Sequence, residues 1–120
     1  MDLRAEEGYD LASRLHVLAD FHGNCSPLAD PHALGVISGL DMDLGFDGLC
    51  RFYWRTAVSI AVGVRNKLDT LNQASFGIEN LHVTGGHFKN PLLVELYSDA
   101  TGRMVVVPKT EDAVLLGTAI

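Results

Sequence analysis

The residues best suited to chemistry lie in the segment Thr84–Pro91, which reads TGGHFKNP. Two successive glycines allow a sharp turn and let a bulky anion approach the backbone amides closely. A helix that starts after this turn would add unpaired N–H groups and a partial positive charge, and Lys89 adds a full one. The segment therefore predicts a phosphate- or nucleotide-binding loop, with the candidate residues Gly85, Gly86, His87, Lys89 and Asn90.

The same segment also allows a purely structural interpretation. It matches neither the GxxxxGK[ST] pattern of P-loops nor the GxGxxG pattern of dinucleotide-binding folds. A tight connection between a strand and a helix needs glycine for its conformation alone. The local sequence therefore leaves both a nucleotide loop and a plain turn open.

A second group of polar residues lies in the loop between Asp20 and His32. The pairs Asp20/His22 and Asp30/His32 have the side chains of metal ligands, and metal-dependent hydrolysis would be their chemistry. Aspartate, asparagine and proline are also the residues that a surface turn needs. We favour the surface turn and expect no metal site in this chain.

The elements that position the glycines form a predicted strand–helix–strand unit. A strand over Leu81–Thr84 leads into the glycines, and Asn90 and Pro91 are suited to the N-cap and first position of a helix that Gly102 ends. The apolar run Met104–Val107 predicts a strand buried on both faces of a parallel sheet. A last helix would follow Thr110 as its cap, with Glu111 and Asp112 near its positive end.

The longest predicted element is a central helix. Eight apolar residues recur at intervals of three and four, and a second apolar flank predicts burial over much of the circumference. Asp43 or Asp47 is the expected cap and Gly77 the expected terminating glycine. The stripe is Phe46, Leu49, Tyr53, Ala57, Ile60, Val64, Leu68 and Leu71, and the flank is Trp54, Val58 and Val62.

Upstream of this helix the predicted elements are short. Residues 2–14 are predicted as a helix, Leu15–Ala19 as a strand and 33–40 as a second strand, with a loop over Asp20–Pro31. The whole pattern is α/β in one domain of 120 residues.

Composition excludes several classes of protein. Nine basic residues against 15 acidic ones give a net charge of −6, and isolated Lys and Arg residues argue against nucleic acid and anionic membranes as partners. No apolar stretch is long enough to span a bilayer. Cys25 and Cys50 make neither a disulfide framework nor a zinc site, and the charged N-terminus is unlike a signal peptide. We therefore expect a cytoplasmic protein.

Several short motifs, taken in chain order, resemble the C-terminal part of the FGGY carbohydrate kinases, and most closely their D-ribulose (pentulose) kinase branch. The resemblance covers roughly residues 15–120. The motifs are Phe21–Asn24, Ser26–Pro31, Gly35-x-Ile37-x-Gly39-Leu40, Gly85-Gly86 with Lys89–Pro91, Asp99-x-Thr101-Gly102, and Glu111–Ala119.

This resemblance implies an actin-like, ribonuclease-H-like ATPase fold, with a mixed sheet and flanking helices. It implies transfer of the γ-phosphoryl group of Mg-ATP to a sugar hydroxyl, in a cleft between two domains. Gly86 then matches the glycine near the nucleotide, Gly85 its partner, and Asn90 the asparagine near the adenine end. Residues 111–119 match the helix that closes the ATP-binding domain.

The chain departs from the family pattern at His87, where a small residue is common, and at Cys25, where arginine is usual. The family's sugar site and aspartate general base lie in segments before the matched part, so the resemblance implies no catalytic residue in this chain. Residues 1–120 are therefore expected to form a partial, nucleotide-binding domain that is inactive alone, reaches the sugar only through an N-terminal domain, and self-associates. The alternative is a stand-alone, non-catalytic α/β module that binds a nucleotide or a protein partner.

Overall fold

The computed structural model describes residues 8–43, 45–110 and 113–119. The chain divides into two compact units, Met1–Ile60 and Ala61–Ile120. Its elements in chain order are strands β1 (His16–Leu18) and β2 (Val36–Ser38), helix α1 (Phe46–Gln73), strand β3 (Asn80–His82), helix α2 (Pro91–Thr101), strand β4 (Met104–Val106) and helix α3 (Ala113–Ala119), with short 3₁₀ helices at Gly8–Asp10 and Gly85–Lys89. The predicted α/β order is confirmed.

In the first unit, β1 and β2 form an antiparallel pair in which Val17 lies opposite Ile37. Both strands fall inside their predicted ranges. Gly39 follows β2 with φ of +82°, and a side chain there would collide with the Arg14 carbonyl. Glycine at this position is therefore required both by the backbone conformation and by the close approach of another segment.

The connection between β1 and β2 is a loop tied at its base. The amides and carbonyls of Asn24 and Asp30 exchange two hydrogen bonds of 2.8 Å. The Asn24 side chain donates to the Asp20 carboxylate (3.1 Å), and Asp30 Oδ1 accepts from the His32 amide (2.8 Å). Residues 25–29 form the tip beyond this tie, and all five are exposed.

Helix α1 begins at Phe46, and neither predicted cap residue directly precedes it. Asp43 accepts from the amide of Gly45 (3.0 Å) and pairs with Arg51 Nη1 (3.1 Å), so it shapes the turn before the helix. Asp47 lies in the first turn, where its negative charge interacts favourably with the positive N-terminal end of the helix dipole.

The end of α1 corrects a second expectation. The helix ends at Gln73, and Ser75, with φ of +71°, takes the left-handed position that we expected of Gly77. Ser75 N donates to Asn72 O (3.0 Å) and Phe76 N to Leu71 O (3.3 Å), the two hydrogen bonds of a Schellman motif. The prediction failed because the motif can accept a non-glycine residue at a cost in conformational energy.

The burial of α1 is narrower than predicted. Its buried residues are Trp54, Ala57, Ala61 and Leu68, which share one line of the helix. Stripe members at the ends are exposed, Phe46 by 78% and Leu49 by 62%, as is Val62 on the second flank. The periodicity identifies the apolar face of the helix, but the other described segments cover only part of that face.

The second unit contains the predicted strand–helix–strand connection. Strands β3 and β4 are parallel, with Leu81 opposite Val105. Asn90 Oδ1 accepts from the Leu92 amide (3.1 Å), Pro91 is the first helical residue, and Gly102 ends α2 with φ of +62°. These caps and the parallel pairing confirm the prediction.

Burial of β4 on both faces was a wrong prediction for the described chain. Met104 is 68% exposed, and β3 and β4 form a two-stranded sheet. A strand in so small a sheet has few neighbours to cover it. The core of this unit comes instead from Ala61, Leu68, Val83, Leu96 and Tyr97.

Predictions for both ends of the chain fall partly outside the described residues. Residues 2–7 of the first predicted helix, and Glu111 and Asp112 before the last, are among those not described. Residues 8–14 form a 3₁₀ helix and a turn rather than an α-helix, and α3 confirms the last helix. In the described ranges, no helix is both long and apolar enough to cross a membrane.

Candidate functional site

The glycine loop, defined as Gly85–Asn90, lies at the carboxyl end of β3. The Val83 amide donates to the Val106 carbonyl (3.0 Å), so pairing with β4 continues one residue beyond β3. The chain then turns into the 3₁₀ helix Gly85–Lys89 before α2 begins. Ligands of α/β proteins bind in the crevice outside the carboxyl ends of strands, which is where this topology puts the loop.

The start of α2 does not supply the free donors that the sequence predicted. The Leu92 amide donates to the Asn90 side chain, the amides of Leu93 and Val94 donate to the Asn90 carbonyl, and Pro91 has no N–H. The 3₁₀ helix, which sequence reasoning missed, separates the double glycine from α2. Gly85 and Gly86 open that short helix, so their own amides have no intrahelical acceptor.

The two glycines differ in what their backbone requires. Gly85 has φ of +76°, a conformation that favours glycine, whereas Gly86 does not lie in the left-handed region. An added Cβ would meet no atom within 4 Å at either residue. The plain-turn interpretation therefore explains Gly85 but does not explain Gly86, above which there is open space.

The remaining predicted residues lie on the same loop with different exposure. His87 and Lys89 are exposed, and Asn90 is half-buried because it caps α2. The five residues therefore lie on one loop, as their sequence proximity dictates.

A contact that the sequence did not predict fixes His87. Its Nδ1 lies 2.5 Å from the hydroxyl of Tyr97 on α2, and the two ring planes are inclined by 13° with their centroids 6.0 Å apart. Tyr97 is only 3% exposed, and burial raises the pKa of its phenol. The sequence marks Tyr97 only as part of the apolar face of α2, since a spacing of ten residues across a loop carries no periodic signal.

The loop between Asp20 and His32 is a surface turn in the structure. The carboxylates of Asp20 and Asp30 accept hydrogen bonds from the loop itself, and His22 and His32 are exposed. Across residues 8–43, 45–110 and 113–119, no three His, Cys, Asp or Glu residues form a group that could hold a metal ion. Within those ranges, metal-dependent hydrolysis would find no cluster of three such ligands.

The first unit contains a cleft of about 240 Å³ that sequence reasoning missed. It combines residues from the 3₁₀ helix at the N-terminus, the segment after β2 and the start of α1, so no local motif marks it. The Asp43–Arg51 ion pair lies on its wall, and nearby the Arg55 side chain donates to the Ala12 carbonyl (2.6 Å). These charged groups serve contacts within the chain.

Comparison with protein families gives one match over the whole chain. Residues 1–120 match the C-terminal domain of the FGGY family of carbohydrate kinases. An FGGY carbohydrate kinase domain-containing protein of Xenopus laevis is 44% identical over 110 residues, which are 92% of this chain and 20% of the relative. A D-ribulokinase of Saccharomyces cerevisiae is 33% identical over 111 residues, 92% of this chain and 16% of the relative.

A solved structure gives the same fold. A ligand-bound xylulose kinase from Lactobacillus acidophilus superposes with a TM-score of 0.72 at 18% identity, covering 96% of this chain and 23% of that protein. The chain thus spans about a fifth of the length of the relatives that it matches.

Proposed function

This chain belongs to the FGGY family of carbohydrate kinases, as its C-terminal domain with an actin-like, ribonuclease-H-like ATPase fold, and from that premise we propose that it forms the nucleotide-binding part of an ATP-dependent sugar kinase. The domain would hold ATP and ADP through the glycine loop. The observation that carries the proposal is the open space above Gly86, at the carboxyl end of a parallel strand, where the fold itself does not require glycine.

The loop chemistry fits a nucleotide. Phosphate oxygens are acceptors, and the open glycines leave the backbone amides within reach of a large anion. Lys89 is exposed and adds a cation to the same loop. We assign the phosphates to Gly85, Gly86 and Lys89, and the adenine end to Asn90, whose side-chain oxygen also caps α2.

Magnesium enters this proposal as the counter-ion of ATP. Mg²⁺ in phosphate sites is held by one or two carboxylates together with phosphate oxygens and water. The glycine loop contains no carboxylate, so this loop would meet the ion through the nucleotide phosphates rather than bind it directly.

The reaction of the whole protein would be phosphorylation of a sugar hydroxyl, and we propose a pentulose such as ribulose. The similarity to a D-ribulokinase supports this substrate class. Phosphoryl transfer needs a positioned base and acceptor as well as a nucleotide. We assign no catalytic residue to this chain, and we expect the 120 residues alone to show background activity in a coupled assay with pentuloses, hexuloses and glycerol.

We also propose a cytoplasmic location for this domain. Cys25 and Cys50 are both free thiols, which suits a reducing compartment. Fractionation of cells that express the native protein would test this assignment.

Calorimetric titration with ADP and with Mg-ATP tests the binding site. Gly86→Val places a β-branched side chain in the open space above the loop, so it should abolish the measured ADP affinity and leave helical content unchanged. Gly63→Val is the matched control, because Gly63 also has open space at its Cβ and lies in α1 outside the glycine loop.

The two variants separate a lost site from a lost fold. Weak ADP binding by the wild type and by Gly63→Val, with none by Gly86→Val, would support the loop as the site. Equal ADP affinity in the wild type and Gly86→Val would place the site elsewhere. A wild-type chain that binds neither nucleotide would contradict nucleotide binding by this chain.

A further inference from the structure

The buried phenol of Tyr97 has a defined hydrogen-bond role. Its hydroxyl lies 2.5 Å from His87 Nδ1, and the side chain is almost fully buried. A buried O–H group needs an acceptor, and among the described residues His87 Nδ1 is the group within reach of this hydroxyl. With His87 in the Nε2–H tautomer, the Tyr97 hydroxyl donates a hydrogen bond to His87 Nδ1, whereas the other tautomer would leave the phenolic hydrogen without an acceptor.

This direction of donation fixes the tautomer of His87. A neutral imidazole has one nitrogen that donates and one that accepts, so a ring that accepts at Nδ1 carries its hydrogen on Nε2. Burial raises the pKa of Tyr97, so the phenol keeps its proton throughout the neutral range. The planes of the two rings are inclined by 13°.

The other edge of the ring is available to a ligand. His87 is exposed, and Nε2 lies on the side of the imidazole away from Nδ1 and hence from the Tyr97 hydroxyl. His87 follows Gly86 directly, so its Nε2–H belongs to the loop with the open space. An unrestrained histidine would interchange tautomers and would present an acceptor nitrogen to an anion part of the time.

We propose that Tyr97 is a positioning residue of the nucleotide site. Its hydroxyl holds His87 so that Nε2–H is a fixed donor to a phosphate oxygen of the bound nucleotide. The inference rests on the proposed function and adds to it the part of the ligand that His87 contacts. The ligand is assigned as phosphate because His87 directly follows Gly86, where the phosphates are placed, and because phosphate oxygens accept the hydrogen bond that Nε2–H donates.

Tyr97→Phe removes the hydroxyl and keeps the aromatic ring that packs in the core. Loss of one such hydrogen-bonded anchor should weaken binding of ADP about fivefold in calorimetric titration, and should weaken binding of inorganic tripolyphosphate by a similar factor. Tyr53→Phe, on α1, is the matched control and should bind both ligands like the wild type.

Each outcome bears on a separate part of the proposal. Unchanged ADP affinity in Tyr97→Phe, with normal binding by the wild type, would overturn the inference and leave the proposed function standing. If Tyr97→Phe binds ADP more weakly but binds tripolyphosphate like the wild type, the phosphate assignment is wrong. A wild-type chain that binds ADP but not tripolyphosphate would also overturn it, whereas failure to bind either would count against the proposed function itself.

Two further measurements do not depend on the stability of Tyr97→Phe. Nitrogen-15 NMR of the imidazole should show His87 as the Nε2–H tautomer in the wild type, and a mixture of tautomers would overturn the assignment. His87→Gln keeps a side-chain acceptor for Tyr97 and a side-chain donor for phosphate, whereas His87→Ala keeps neither. ADP affinity should therefore fall in His87→Ala and be largely retained in His87→Gln, and equal losses would contradict the donor role.

Discussion

Gly85 and Gly86 are adjacent, yet alanine substitution should change the stability of the protein in opposite directions at the two positions. Gly85 has φ of +76°, which an L-residue with a side chain adopts only with strain. Gly86 lies outside the left-handed region, and its added methyl group would meet nothing within 4 Å. Gly85→Ala is therefore expected to destabilise the fold, and Gly86→Ala to stabilise it slightly.

The expected difference in the free energy of unfolding follows from two contributions. Both substitutions reduce the conformational entropy of the unfolded chain, which stabilises the protein by about 0.4–1 kcal/mol. Only Gly85→Ala adds the left-handed penalty of roughly 1–2 kcal/mol. Because the entropic term is common to both, the difference between the two variants isolates the penalty at Gly85, about 1–2 kcal/mol.

Thermal unfolding followed by circular dichroism measures this difference directly. For a chain of this size 1 kcal/mol corresponds to a shift of roughly 4 °C, so Gly86→Ala should melt about 4–8 °C above Gly85→Ala. If Gly86→Ala is as destabilised as Gly85→Ala, the glycine is required by the fold. Gly86 would then be explained by the fold rather than by a ligand in the space beside it.

Three further outcomes follow from the described contacts. Ser75→Gly should raise the free energy of unfolding by up to about 1 kcal/mol in urea denaturation, because glycine takes the left-handed position of the Schellman motif without strain; an unchanged or lower value would contradict this account. Asn90→Ala should lower the free energy of unfolding by about 1 kcal/mol through loss of the cap on α2. Asn90→Asp keeps an acceptor, so its free energy of unfolding should remain near that of the wild type. The isolated chain should self-associate, because large apolar side chains such as Leu34 (79% exposed) and Phe46 (78%) face solvent; light scattering across a concentration series that shows only monomer would refute this.

Most elements of the fold could be predicted from local sequence because their signals are local. Asn90, Pro91 and Gly102 define both ends of α2 through caps that involve neighbouring residues, and the structure confirms them. The parallel pairing of β3 with β4 followed from the strand–helix–strand order, in which a helix connects the two strands. The burial of α1 and β4 could not be predicted in the same way, since it depends on which segments cover them rather than on their own composition.

The candidate site was likewise predictable only where its signals are local. Residue types alone were enough to propose the glycine loop as a candidate, yet the 3₁₀ helix that changes which amides are available was not predicted. The His87–Tyr97 contact joins two residues ten positions apart across a change of secondary structure, so neither helical nor strand periodicity reveals it. The glycines can be located in the sequence directly, whereas the structural reason for each one requires its backbone angles and the atoms around it.

The tie between Asn24 and Asp30 gives the protein a natural attachment point for a reporter group. Cys25 lies directly beyond this tie and is an exposed free thiol, whereas Cys50 is half-buried in α1. A maleimide dye should react at Cys25 well before Cys50. Because the base of the loop is already closed by backbone hydrogen bonds, a bulky label on residues 25–29 leaves the strand pair β1–β2 undisturbed, and Cys50→Ser would give a single-site version for fluorescence titrations.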